Sequence, residues 1–317
     1  MAPLLDLRGL SVPVVQGGMG SVSRHGLAAA VSEAGGLGTI AGVRAPIADE
    51  IAAARKLTER PIAVNLLLPF LRPGDGEAAA AADAIVTFWG EPRRLAAGTW
   101  IHQCGSVEEA KAAAAAGADA LIVQGVEAGG HVRGTTPLME LLERVRAAVR
   151  LPLLAAGGIV DVEGVRSVLD AGAVGAVAGT RFLLSDESRA HPEYKRRCLE
   201  ARETVLTELF GLGWPEAPHR VIPNAATRRW LRAGRRGPRW IRAANRLTAP
   251  LARRIPAAIQ ARATASQRPS QPLLGPQPPT ADGPANLLDS GPLYAGMNVG
   301  RIADIRPAAE LVAALTP

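Results

Sequence analysis

The chain has 317 residues, of which 48% are hydrophobic and only 3% aromatic, and its formal net charge is +7. This length fits one large barrel with additions or two domains, and this apolar fraction is enough for a sizeable core. No apolar run approaches the roughly 20 residues that a membrane span needs, and the N-terminus lacks the pattern of a signal peptide. We therefore expect a cytoplasmic protein without a membrane partner.

The two cysteines, Cys104 and Cys198, lie far apart and form no metal-ligand pattern. They favour a reducing compartment over a disulfide framework, and we expect no metal. The basic excess is concentrated in residues 220–268, for example in Arg228-Arg229 and Arg235-Arg236. Such a segment can bind nucleic acid, attract an anionic substrate or form a solvated helical surface. We favour the solvated surface and expect no nucleic-acid partner, because no RNA- or DNA-binding motif accompanies the charge.

Eight short apolar segments predict strands, and helical or loop segments separate them. The predicted strands are residues 12–16, 38–42, 61–65, 84–88, 99–103, 120–124, 151–156 and 174–178. This alternation is typical of parallel β-α-β units, and eight repeats favour an α/β fold closed as a (β/α)8 TIM barrel. A doubly wound open sheet is the alternative, but its glycine fingerprint after the first strand is absent.

Helices are predicted between the strands and after the last of them. Their residues are 25–34, 46–59, 77–82, 93–97, 107–116, 137–149, 162–171, 193–209, one or more within 215–256, and 307–315. Ser106 with Glu109 predicts a capping box, and Asp161 predicts an N-cap. Residues 266–284 are rich in proline and predict an extended connection. We expect a barrel in residues 1–189, an added helical subdomain with its connection in 190–290, and a segment, 291–317, that returns to the barrel.

Gly157-Gly158 follows the seventh predicted strand, and Gly179-Thr180 follows the eighth. Barrels of this class often bind a phosphate at these exits, on backbone N–H groups that glycine leaves accessible. We expect a phosphate site here, with ordinary tight turns as the alternative. Gly17-Gly18-Met19 after the first strand is a further flexible backbone that can approach a ligand closely.

Amide side chains end four predicted strands, as Gln16, Asn65, Gln103 and Gln124. Because an amide both donates and accepts hydrogen bonds, such residues can hold the edge of a flavin ring. The alternative is that they satisfy loop backbone groups, which we favour for Gln103 only.

His131 follows Gly129-Gly130 on the loop after the sixth strand. An imidazole there can accept a proton near neutral pH, although a lone histidine is more often structural. On the same loop, Glu127 can accept hydrogen bonds from loop amides. Arg133 is expected to hold an anion or to pair with a carboxylate.

Taken together, these motifs resemble the nitronate monooxygenase family, once called 2-nitropropane dioxygenases. The motifs that carry the resemblance are Pro13-Val14-Val15-Gln16-Gly17-Gly18-Met19, Asn65, Gln124-Gly125-Val126-Glu127-Ala128-Gly129-Gly130-His131, Ala156-Gly157-Gly158 and Gly179-Thr180-Arg181-Phe182. The resemblance covers most of residues 10–184, with a weaker similarity at 294–301. It implies a TIM barrel that binds FMN without a metal, with His131 as the catalytic base. The predicted cofactor-binding residues are Gln16, Gly17, Gly18, Met19, Asn65, Gln124, Gly129, Gly130, Gly157, Gly158, Ala178, Gly179 and Thr180.

The activity that the resemblance implies is oxidation of nitronates or nitroalkanes by O2 to a carbonyl compound and nitrite. In this chain Val132 separates His131 from Arg133, whereas the family usually has Gly-Gly-His-Arg-Gly, and this departure concerns the substrate more than the cofactor. One alternative is an FMN- and NAD(P)H-dependent enoyl-thioester (enoyl-ACP) reductase. Another is a flavin-binding module whose basic helices dock on an anionic partner. The sequence leaves the oligomeric state open, a homodimer included.

Overall fold

The computed structural model describes residues 11–231, 236–255 and 257–317, and an eight-stranded parallel sheet lies at its centre. The strands in chain order are β1 (Val14–Gln16), β2 (Gly38–Ala41), β3 (Ile62–Leu67), β4 (Ala84–Phe88), β5 (Thr99–Cys104), β6 (Ala120–Gln124), a two-residue strand β7 (Gly130–His131) outside this sheet, β8 (Leu153–Ala156) and β9 (Gly175–Ala178). Their order in the sheet is β1-β9-β8-β6-β5-β4-β3-β2.

The sheet closes on itself between its two outer strands. Val15 forms a parallel bridge with Leu37, which directly precedes β2. The Gln16 N–H donates to the Leu37 carbonyl, and the Leu37 N–H donates to the Val14 carbonyl, each at 3.0 Å. The predicted (β/α)8 barrel is therefore confirmed, and the open sheet is excluded.

Helices cover the outside of the barrel. They are α1 (His25–Glu33), α2 (Ile47–Arg55), α3 (Asp75–Ala79), α4 (Val107–Ala115), α5 (Leu138–Ala148), α6 (Val162–Asp170) and α7 (Thr180–Leu183). The Asp161 carboxylate accepts from the Gly164 N–H at 2.9 Å, so the predicted N-cap of α6 is confirmed. Ser106 caps α4 as predicted, but the Glu109 carboxylate accepts from the Gly105 N–H and not from Ser106.

Small apolar side chains fill the barrel lumen, which suits a chain with few aromatic residues. Val15, Ala63, Val86, Ile101 and Ile122 are among the buried residues of this inner cluster. A second cluster joins the outer faces of the strands to the surrounding helices, so the barrel wall is buried on both sides.

A second set of elements follows the barrel, and we call residues 192–291 the appended region. It contains α8 (Pro192–Glu200), β10 (Val205–Thr207), β11 (His219–Val221), α9 (Ala225–Trp230), α10 (Arg239–Arg254), α11 (Ala257–Ala265) and α12 (Leu287–Ser290), and the chain ends with α13 (Ala308–Leu315). β10 pairs with β11, which pairs with β7 on the loop that carries His131. The last segment lies against the barrel, because α13 contacts α1, α6 and α7.

Three helix predictions need correction. Residues 93–97 form no helix, because the Arg94 guanidinium instead binds the Gly117 carbonyl and the Asp119 carboxylate. The helix predicted for 193–209 ends at Glu200, since residues 205–207 pair as β10. The segment 215–256 contains the strand β11 as well as helices. The described residues leave out 1–10, 232–235 and 256. Parts of these predictions, and Arg235, fall there and so lie outside the described residues.

Candidate active site

A cavity of about 300 Å³ opens at the carboxyl ends of the barrel strands. This is the end at which barrels of this class place their chemistry. Most of the residues predicted from the sequence line it: Gly17, Gly18, Met19, Asn65, Gln124, Gly129, Gly130, His131, Gly157, Gly158, Gly179 and Thr180. Gln103, for which we favoured a loop role, lines it as well. The sequence therefore identified residues that the fold brings together.

Gln16 and Ala178, also predicted to bind the cofactor, are not among the residues that line this cavity. The Gln16 side chain is completely buried, and its carbonyl oxygen accepts from the Thr39 N–H at 2.9 Å. Its amide nitrogen donates to the Gly17 carbonyl. The Ala178 carbonyl accepts from the Gly17 N–H at 3.0 Å. Both residues thus shape the turn behind the cavity and present no group to a ligand in it.

The backbone at the cavity wall depends on glycine at two positions. A Cβ on Gly18 would lie 2.6 Å from the Asn65 Cβ, so any larger residue would displace Asn65. Gly158 has a φ of +68°, which L side chains rarely adopt, and a Cβ there would also meet the Asn298 side chain at 3.0 Å. Gly158 keeps the main chain accessible where the sequence predicts a phosphate, and Gly18 does so after β1, where it predicts the close approach of a ligand.

The two glycine exits are held together by the C-terminal segment. The Asn298 amide donates to the Gly158 carbonyl at 2.7 Å, and the Gly296 N–H donates to the Thr180 hydroxyl at 2.9 Å. A hydroxyl that accepts one hydrogen bond still carries a hydrogen to donate, so Thr180 keeps the donor that a phosphate needs. The weak sequence similarity at 294–301 therefore corresponds to a segment at the site.

The His131 loop is fixed by hydrogen bonds on both sides. Gln124 donates from its amide nitrogen to the His131 carbonyl at 2.9 Å and accepts from the Arg133 N–H at 3.1 Å. Val132, the residue that departs from the family motif, is buried, and its N–H donates to the Pro218 carbonyl at 2.8 Å. Gln124 thus braces the loop with the amide that we expected to contact the cofactor.

The His131 ring lies among aromatic side chains at the cavity wall. It stacks on Trp214 with a centroid separation of 3.8 Å and an interplanar angle of 22°. Trp89 meets it edge-on at 6.0 Å, and His219 and Tyr294 lie at 5.2 and 5.6 Å. The His131 Nε2 atom is buried without a hydrogen-bond partner among the described residues. Burial, with a smaller contribution from His219, holds the pKa of His131 well below its usual range.

His219 stays neutral beside His131 for a visible reason. Its Nδ1 lies 2.9 Å from the Ala217 carbonyl, which can only accept, so Nδ1 carries the hydrogen. Its Nε2 then accepts from the Phe210 N–H at 3.3 Å. Burial lowers the pKa of His219 to about 4. The site therefore holds two neutral imidazoles, of which only His131 lines the cavity.

The sequence analysis missed Trp214, His219 and Tyr294 as neighbours of His131. For Trp214 and Tyr294 one signal was the rarity of their residue types, since the chain has only five tryptophans and two tyrosines, and Tyr294 also begins the weakly similar segment 294–301. The Tyr294 hydroxyl donates to the Pro276 carbonyl at 2.9 Å and thereby ties the return segment to the proline-rich connection.

The other polar residues of the loop have structural partners. Glu127 accepts from the Leu138 N–H at the start of α5, which is a helix amide and not one of the loop amides that the sequence suggested. Arg133 pairs with Glu109 and lies over the Trp89 ring at 4.9 Å, so of its two predicted roles the structure shows the carboxylate pair. His102 bonds Thr87 inside the barrel wall, and burial lowers its pKa to about 4.

Within residues 11–231, 236–255 and 257–317, no group of three or more His, Cys, Asp or Glu side chains is placed to hold a metal ion. No helix in this part of the chain combines the length and the apolar character needed to cross a bilayer.

A family model described as nitronate monooxygenase matches residues 2–102 and 93–317. The chain belongs to the nitronate monooxygenase family. This confirms the family membership that the sequence motifs predicted.

Named relatives within and near this family differ in their activities. The nitronate monooxygenase of Pseudomonas aeruginosa is 33% identical over 284 residues, covering 69% of this chain and 80% of that protein. The (3aS,4S,5R,7aS)-5-hydroxy-7a-methyl-1-oxo-octahydro-1H-indene-4-carboxyl-CoA dehydrogenase of Mycobacterium tuberculosis is 36% identical over 239 residues, covering 69% of this chain. The chain spans 65% of the length of that relative.

Solved structures resemble the fold over nearly the whole chain. FabK from Thermotoga maritima matches with a TM-score of 0.76 and 27% identity, covering 98% of this chain and 93% of that one. Nitroalkane oxidase from Streptomyces ansochromogenes matches with a TM-score of 0.73 and 32% identity, covering 96% and 95%.

Proposed function

We propose that this protein binds FMN and oxidises nitronates or nitroalkanes with O2, releasing nitrite and a carbonyl compound. The observation that carries the proposal is the His131 imidazole, whose Nε2 is buried at the cavity wall without a partner among the described residues. The similarity to a nitronate monooxygenase and to a nitroalkane oxidase supports the choice of substrate class.

The residues present fit FMN at this site. The exposed backbone at Gly158 and Gly179 and the Thr180 hydroxyl suit the phosphate, and the Asn65 amide suits the ring edge. The Nε1 of Trp214 and the Nε2 of His131 are buried polar atoms without a partner in the described part of the chain, as expected where a ligand supplies one. When bound, FMN would accept electrons from the substrate and pass them to O2.

The protein's part in the reaction is to position the substrate, exclude water and move a proton. A neutral nitroalkane must lose its α-proton before it can donate electrons. Because burial keeps His131 neutral, its Nε2 can take that proton, and the nitronate that forms would stabilise the resulting imidazolium by opposite charge. A nitronate supplied directly has no such proton to lose and does not need the base.

Replacing His131 with Asn tests this role. We expect kcat/KM for a nitroalkane to fall by about 10² or more, as loss of a positioned base does, while turnover of the matching nitronate changes much less. His102→Asn is the matched control, because it removes a buried histidine that does not line the cavity. Equal losses on both substrates in the His131 variant would remove His131 from the role of base.

A second candidate is an FMN- and NAD(P)H-dependent reductase of enoyl thioesters. The observation that favours it is the 36% identity to a dehydrogenase whose name specifies a carboxyl-CoA substrate. Anaerobic mixing separates the two candidates. Reduction of the flavin by a nitronate but not by NADPH supports the oxidase, whereas reduction by NADPH coupled to reduction of an enoyl thioester supports the reductase.

A further inference from the structure

The charge of this chain is divided unevenly along its length. Residues 217–281 contain thirteen arginines, no lysine and no aspartate or glutamate, while acidic residues outnumber basic ones in the remainder. Asymmetry of this kind points to an anionic partner for the basic part. The helix α10 lies in the middle of this acid-free segment.

One face of α10 is buried against the protein and another exposes large apolar side chains. Ile241, Asn245 and Ala249, spaced by four residues, are buried. On the opposite side Trp240, Leu247 and Leu251 are 55%, 81% and 69% exposed. We call these three residues the apolar ridge. Leucine side chains are rarely this exposed on a helix, and a contiguous apolar surface usually marks a binding site.

Arginines follow the side of the apolar ridge. Arg239, Arg242 and Arg246 recur at the three- and four-residue spacing that places side chains on one helix face, and with Arg236 they line a cleft. Among the described residues, two carboxylates line that cleft with them: Glu208 lies within 4 Å of both Arg236 and Arg242, and Glu216 pairs with Arg246. The cleft therefore keeps a positive excess beside the ridge.

We propose that α10 docks on the surface of an anionic lipid bilayer, with the apolar ridge in the headgroup–acyl boundary and the arginines against lipid phosphates. A helix with a basic face beside a face of Trp and Leu suits this environment. The expectation of no membrane partner came from the lack of a spanning run, and a helix that lies on the surface needs none. The proposal does not depend on the proposed function.

Charge complementarity distinguishes a bilayer from the other occupants. A second copy meeting this face across a twofold axis would bring the same arginines together, which like-charge repulsion disfavours. A nucleic acid would neutralise the arginines but would leave Leu247 and Leu251 in water, because phosphate groups give an aliphatic side chain nothing to pack against.

Vesicle co-sedimentation of the full-length protein tests the proposal. We expect binding to vesicles of equimolar phosphatidylcholine and phosphatidylglycerol, little binding to phosphatidylcholine alone, and a loss of binding as salt is added. The double variant Leu247→Glu, Leu251→Glu should lower the partition coefficient at least tenfold. Arg239→Gln and Arg246→Gln should each lower it about fivefold, as loss of one surface arginine does.

The matched control is Leu57→Glu with Met139→Glu. These residues are also exposed, at 56% and 45%, and the change in net charge is the same, but Leu57 lies in the turn after α2 and Met139 lies in α5, both in the barrel part of the chain. This control should bind anionic vesicles like the original protein, and circular dichroism should show all variants folded. Equal binding to neutral and anionic vesicles, equal losses in the control and ridge variants, or no vesicle binding would overturn the proposal. So would a change from dimer to monomer in the ridge variant, or oligonucleotide binding, if either occurs without vesicle binding.

Discussion

The barrel and the appended region contribute different things to one site. The barrel supplies backbone, at Gly18, Gly158 and Gly179, where a cofactor's polar atoms can be held. The appended region supplies Trp214, which stacks on His131, and His219, which stays neutral beside it. The proposed binding surface therefore comes from the repeated unit of the fold, and the ring that stacks on the proposed base comes from the addition.

The appended region can position Trp214 and His219 because it has a hydrophobic core of its own. Leu209, Phe210, Val221, Ile241 and Leu274 are completely buried in one cluster that is separate from the barrel clusters. The pairing of β11 with β7 then transmits that order to the His131 loop. Variants can break this division of roles in either region.

The largest effect is expected in the barrel. A Cβ at Gly38 would lie 1.8 Å from the Ala28 carbonyl oxygen, so Gly38→Ala must push helix α1 away from strand β2. We expect the free energy of unfolding to fall by roughly 3 kcal/mol or more, measured by urea denaturation. Gly26→Ala is the control, since its Cβ would meet no atom of the described residues within 4 Å. There alanine should be neutral or stabilise α1 by up to about 1 kcal/mol. Similar losses in both variants would show that the close contact at Gly38 is unimportant.

A smaller effect should appear with pH, shared by one histidine from each region. His102 in the barrel and His219 in the appended region have pKa values of about 4, below the ordinary value of 6.5. Between pH 4 and pH 6.5 both imidazoles bind a proton in the unfolded chain but not in the folded chain. The stabilisation that comes from keeping each ring neutral is therefore fully present above pH 6.5. It is lost as the pH falls toward 4, which lowers the free energy of unfolding by on the order of 2–3 kcal/mol per histidine.

Unfolding midpoints measured from pH 7 to pH 4.5 check this prediction. His102→Gln and His219→Gln should each flatten the pH dependence. If neither variant flattens it, the two rings are not held neutral by the fold.

The smallest effect is expected at Trp214 and is measured as activity per folded molecule, because loss of this buried ring also lowers stability. Trp214→Leu removes the stacked ring and leaves His131 free to turn, which should lower kcat/KM for a nitroalkane roughly tenfold to a hundredfold. Trp230→Leu removes a tryptophan of the same region that bonds the Pro269 carbonyl instead of contacting His131. It should reduce stability but leave activity per folded molecule unchanged. If both variants lost activity alike, Trp214 would be acting through stability only.

The parts that the sequence predicted well depend on local pattern. The strands at 84–88 and 120–124 have the predicted bounds, because each is a mainly apolar run that a glycine follows within two residues. The site glycines and His131 come soon after the ends of strands, and in a parallel barrel those ends meet at one rim. Gln16 shows the limit of that reasoning, since a strand-end amide can turn into the seam of the barrel as well as into the cavity.

The parts that it missed depend on contacts between distant segments. β10 and β11 have three residues each and are stabilised by pairing with each other and with the His131 loop, so no local periodicity marks them. Residues 93–97 have helical composition, but five residues rarely nucleate a helix. In addition, the Arg94 guanidinium donates to the Gly117 carbonyl, which is distant in sequence. Trp214 reaches His131 only through this tertiary arrangement.

The visible absorption spectrum of the purified protein tests most directly whether the barrel mouth holds a flavin. We predict a flavin spectrum, with FMN released on denaturation, and recovery of the spectrum when FMN is returned to protein stripped of it. A colourless protein that does not take up added FMN would contradict the proposed cofactor and, with it, the role of His131.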